Sequence, residues 1–63
     1  MAEARDRLHT LRHDLSNPLA AILAETQLLL LNAEQLDAET VGSLKQIEAL
    51  ARKMRQILQH VDA

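Results

Sequence analysis

Apolar positions recur at intervals of three and four along two long stretches of the chain. In the first, Leu8, Leu11, Leu15, Leu19, Ile22, Thr26 and Leu29 fall in step; in the second, Val41, Leu44, Ile47, Leu50, Met54, Ile57 and Val61 do the same. This is the stripe of a helix that packs on other helices, and it predicts helix 1 over about 3–32 and helix 2 over about 39–61. Between them the period is lost, and residues 33–38 read as a turn. Asp37 is placed to cap the second helix, with Glu39 in its first turn where the helix dipole favours an acid. A connection this short makes the two helices antiparallel neighbours, a helical hairpin. Glu3–Arg7 and Glu48–Arg52 are spaced for favourable pairs within each helix. Gly42, early in helix 2, weakens it by up to about 1 kcal/mol relative to Ala.

One hairpin cannot cover all of this apolar surface. Leu28 to Leu31 are four consecutive leucines that point around most of the helix, and Leu23, Ala51 and Leu58 widen the stripes beyond a two-helix seam. Two hairpins packed as a four-helix bundle bury it, and a homodimer achieves this with one self-complementary surface. A chain of 63 residues is also marginal alone, because so short a domain leaves much of its surface exposed. The expected fold is all-α: an antiparallel hairpin that homodimerises, forming one domain over residues 1–63.

Composition narrows the chemistry. Leu and Ala dominate, aromatics are absent, and there is one Gly and one Pro, so nothing competes with helix. The absence of Cys excludes disulfides, zinc thiolates, iron–sulfur clusters and a cysteine nucleophile. A net charge of −2 argues against non-specific nucleic-acid binding. No apolar run approaches the ~20 residues of a membrane span, and the N-terminus is no signal peptide. A cytoplasmic domain is expected.

The stretch His13-Asp14-Leu15-Ser16-Asn17-Pro18-Leu19 breaks the local rules. A proline inside a helix costs about 3 kcal/mol and strips the carbonyl one turn back, that of Asp14, of its partner. Either Asn17 caps a new helix that begins at Pro18, or one helix continues through and is kinked there. The unbroken apolar period from Leu11 to Ile22 favours the kinked helix. On residue types alone His13 is a solvated helix residue or a nucleophile, since a neutral imidazole attacks electrophilic phosphorus. Asp14 could orient the ring or take its proton, and Asn17, one turn on, could position a water or a substrate oxygen.

The string resembles the H-box of sensor histidine kinases: His, an acid, two variable residues, Thr or Asn, then Pro-Leu. The setting of a long helix, a short turn and a second amphipathic helix is similar too, so the resemblance covers essentially the whole chain as a dimerisation and histidine-phosphotransfer domain. The other pattern of the family, with Gln five residues beyond the His, is not followed, because position 18 is Pro. The resemblance implies that His13 accepts the γ-phosphoryl group of ATP, that Asp14 serves as acid/base and orienter, that Asn17 supports dephosphorylation, and that Pro18 kinks the helix. It implies a receiver domain of a response regulator as partner, docking below the His on Ala20, Ala24, Glu25 and Leu28 of helix 1 and on Ser43 and Gln46 of helix 2. It also implies ATP and Mg²⁺ for a parent kinase, held by a catalytic domain that this chain does not contain, so the chain alone should be inactive; any sensor or membrane anchor lies upstream.

The hairpin register sets His13 level with roughly residues 55–60 and gathers Arg5, Arg7, Arg12 and Arg55 at that end. Arg12 is the best placed to attract phosphate. His9 and His13 are spaced to face one metal, but two ligands without a third make a weak site, and no metal is expected. His60 sits where a helix dipole favours a cation. Two other readings explain the apolar stripes: a purely structural dimerisation hairpin, and a standalone histidine phosphotransferase. The first gives no reason for the costly proline.

Overall fold

The computed structural model describes residues 2–61, which form two helices and a tight connection. Helix α1 spans Ala2–Leu30, a 3-10 turn covers Ala33–Gln35, and helix α2 spans Ala38–His60. Antiparallel packing gives a rod of 51 × 14 × 11 Å. The fold is the all-α hairpin expected.

α1 runs without a break through Pro18, so Asn17 does not cap a second helix. Enough leucine and alanine flank the proline for the helix to tolerate one missing hydrogen bond. A second perturbation sits beside it: the Ser16 hydroxyl donates to the Arg12 carbonyl at 2.6 Å, a back-bond that tends to bend helices.

α1 ends at Leu30, two residues before the expected boundary. The Leu31 N–H is shared between the carbonyls of Gln27 and Leu28, at 3.1 and 3.2 Å, and Asn32 reaches back to Leu29. This tightening satisfies the last carbonyls and leads into the 3-10 turn. At the start of α2, Asp37 is the cap that was expected, accepting from the Thr40 N–H at 2.7 Å. The Thr40 side chain and then its backbone N–H hold the Asp37 carboxyl below its ordinary value. Of the two intrahelical pairs, Glu48–Arg52 forms at 3.4 Å, and none joins Glu3 to Arg7 among the described residues.

The seam between the helices differs from the stripe read off the sequence. Leu19, Leu23 and Ala51 are buried at 4–5% exposure, with Leu58 packed against them. Thr26 joins them, its hydroxyl satisfied by the Ile22 carbonyl at 2.7 Å. Of the expected helix 1 stripe, only Leu19 and Thr26 are buried; Leu8, Leu11, Leu15, Ile22 and Leu29 remain exposed. On α2, Ile47, Leu50, Met54 and Ile57 are exposed as well. Each helix carries two apolar faces about a quarter turn apart, and a periodicity count merges them. The intramolecular seam uses the face that contains the small side chains Thr26 and Ala51, which permit close approach. Because the helices are antiparallel, the two unburied apolar faces fall on the same side of the hairpin.

Candidate functional site

His13 lies on the exposed part of α1, one turn before Asn17, and opens onto a cavity of about 260 Å³. Its walls are His9, Arg12, His13, Ser16 and Asn17 from α1, and Gln59 from α2. The recurrence at 9, 13 and 17, with 12 and 16 beside it, is one helical face. The antiparallel register brings α2 alongside it near its C-terminal end, as the sequence implied.

Arg12 closes the site on the side of the seam. Its Nη1 donates to the Val61 carbonyl at 3.2 Å, in a half-buried bond that spans 49 residues of sequence. Its Nη2 lies 3.5 Å from Nδ1 of His9. The Val61 N–H in turn reaches the carbonyls of Ile57 and Leu58, so the guanidinium is anchored to the cap of α2. The His9 and His13 rings stand 6.4 Å apart, centroid to centroid, tilted by 43°. A cation held beside an exposed imidazole is suited to a phosphoryl group, since charge-assisted hydrogen bonds to ionised oxygen are the strong ones.

The other residues singled out by sequence are distributed as follows. Asn17 shares the cavity with His13. Asp14 points about a quarter turn away and lines a separate groove with Asp6, Arg7, Thr10 and Leu11. Pro18 is exposed at the edge of the site. Farther down α1, Ala24 and Leu28 line a shallow apolar cavity of about 450 Å³ with Gln27 and Leu31. Ala20 is exposed one turn nearer His13, on the same face by register. Glu25, Ser43 and Gln46 are exposed and are not part of that cavity. Ser43 shares the register of Ile47, Leu50 and Met54, which places it on the unburied apolar face of α2. His60 donates from Nδ1 to the Gln56 carbonyl at 2.7 Å, occupying the end of α2 where a cation suits the dipole.

Sequence reasoning missed Ser16 and Gln59 as parts of the site. The register that set residues 55–60 level with His13 contains Gln59, but which residue of that window faces α1 depends on the seam, and the seam is what periodicity misassigned. The Val61 carbonyl carried no sequence signal, being backbone.

The family model of the His Kinase A (phospho-acceptor) domain, HisKA, matches residues 3–62. The chain belongs to this family. Comparison with curated proteins and with solved structures returned no significant match. Among the described residues, no helix is long and apolar enough to cross a membrane.

Proposed function

We propose that His13 is the phosphoacceptor of a two-component histidine kinase. A ring nitrogen attacks the γ-phosphorus of ATP, the bond to the ADP oxygen breaks, and the ring loses its proton to Asp14. A catalytic domain outside this chain holds ATP and Mg²⁺. The phosphoryl group then passes from the imidazole to an aspartate carboxylate of a response regulator receiver domain. The observation that carries the reading is the exposed His13 sharing one cavity with a pinned Arg12 and with Asn17, directly before a proline that a continuous helix tolerates at a cost.

The roles follow from placement. Arg12 offers charge to phosphoryl oxygens, and Asn17 is near enough to hold a water for the reverse, phosphatase direction. Asp14, about a quarter turn from His13 and lining the neighbouring groove, serves as acid/base and orienter of the ring from that side. Pro18, with the Ser16 back-bond, bends α1 there and leaves the Asp14 carbonyl without its helical partner. The receiver domain docks below His13, with Ala20, Ala24 and Leu28 as the approach surface and Glu25 and Gln46 at its margins, while Ser43 lies on the face given to the dimer. The cavity beside Leu28 supports an apolar anchor at this place. The unburied apolar face made by both helices supports homodimerisation into a four-helix bundle in the cytoplasm.

The test supplies ATP, Mg²⁺ and the catalytic domain of a related kinase in trans. Acid-labile, alkali-stable phosphate on the native chain, absent from His13→Gln, is the expected result. Label that persists in His13→Gln, or a folded chain that accepts none from several such donors, would overturn it in favour of a structural hairpin.

A further inference from the structure

The cavity beside His13 has one wall from the second helix, and that wall is Gln59. On the α1 side the Ser16 hydroxyl and part of the Arg12 guanidinium are already engaged. The Ser16 hydroxyl donates to the Arg12 carbonyl at 2.6 Å. Arg12 spends Nη1 on the Val61 carbonyl and has Nη2 near His9. Among the described residues, the carboxamides of Asn17 and Gln59 enter no hydrogen bond. At about 260 Å³ the space is several times the ~30 Å³ share of one water, room for a phosphoryl group and part of its hydration. A dianion placed there meets the Arg12 cation on the α1 side, and on the α2 side the donor available to it is the Gln59 carboxamide, the only side chain that α2 supplies.

We infer that Gln59 is a phosphoryl-binding residue: its carboxamide N–H donates to an oxygen of the phosphoryl group on His13, so that both helices hold the modified histidine. This rests on His13 being the phosphoacceptor. The donor retains the group and closes the α2 side to water, which lengthens the life of the phosphohistidine. A carboxamide that instead aligned the attacking water would shorten it, so the two roles have opposite signs.

The experiment makes the phosphohistidine chemically, with phosphoramidate. The imidazole nitrogen bonds to phosphorus, the phosphoramidate P–N bond breaks, and ammonia leaves with the ring proton as ammonium. This needs no kinase, so the result reads the cavity whether or not ATP labelling succeeds. The decay of phospho-His13 at neutral pH is followed by ³¹P NMR, with the site resolved by fragmentation mass spectrometry. Gln59 is exposed, and helical content by circular dichroism should match in all variants. Gln59→Ala should shorten the half-life by about threefold, the factor for one solvent-accessible hydrogen bond. Gln59→Glu, which replaces donors with a like charge, should shorten it further, and Gln59→Arg, which keeps a donor, should restore it. An unchanged or lengthened half-life in Gln59→Ala would overturn the inference and leave the role of His13 standing. Loss of ATP labelling at His13, with the Gln59 effect intact, would overturn the phosphoacceptor reading instead.

Discussion

The two apolar faces of the hairpin differ in what they are made of and in what covers them. The seam is narrow: Leu19, Leu23 and Ala51, with Thr26 among them and Leu58 alongside. The other face is the richer one, with Leu11, Leu15 and Ile22 on α1 and Ile47, Leu50, Met54 and Ile57 on α2, all 42–56% exposed. No large side chain is fully buried anywhere among the described residues. A folded chain that leaves its bulkier face in water forfeits most of the hydrophobic stabilisation available to it. The seam therefore sets the register, which brings Gln59 to the His13 cavity and the Val61 carbonyl to Arg12. In the proposed dimer, the outer face supplies the stability once a second copy covers it. Structure and site come from different surfaces of the same two helices.

That division can be broken from either side. Charging the outer face should have the largest effect. Leu50→Glu combined with Met54→Glu places carboxylates in the proposed dimer core, and an unpaired buried charge costs several kcal/mol, so the dimer should weaken by about a hundredfold or more. Sedimentation and far-ultraviolet circular dichroism together would show dissociation with loss of helix. An unaffected dimer would mean that this face is not the interface. In the seam, Leu23→Ala removes a side chain only 5% exposed and should cost about 2–3 kcal/mol by chemical denaturation, leaving the dimer as the folded species.

Two smaller changes touch neither face and act as controls. A Cβ at Gly42 meets nothing within 4 Å, so Gly42→Ala should stabilise α2 by up to about 1 kcal/mol without altering association. Asp37 gives the smallest effect. Its carboxyl titrates below the ordinary value of 3.8 in the folded chain, so the folded state binds fewer protons than the unfolded one near that pH. Its stabilising contribution is present above 3.8 and is lost as the pH falls through the lower, folded value. Thermal melts of the native chain and Asp37→Ala should differ by a few degrees at neutral pH and converge in acid.

Local features of the fold were the easiest to read from sequence. The Asp37 cap, the Glu48–Arg52 pair and the antiparallel register depend on neighbours in the chain or on helix length, and these are one-dimensional facts. The continuity of α1 through Pro18 was legible because Leu15, Leu19 and Ile22 keep their period across it. The seam was not legible, since residues on two faces a quarter turn apart satisfy the same three-and-four spacing. Only the packing of α2 against Leu19 and Leu23 distinguishes them. The site divides in the same way. His13, Asn17 and Arg12 share one helix, and their spacing alone places them together. Gln59 and the Val61 carbonyl join them through tertiary register, and Asp14, adjacent in sequence, is turned away by helix geometry.

The most direct test of this two-surface account is sedimentation equilibrium of the native chain at micromolar concentration. The account predicts a helical species of twice the 7.1 kDa chain mass. A stable, fully helical monomer would contradict it, because the narrow seam would then suffice and the outer apolar face would need no partner.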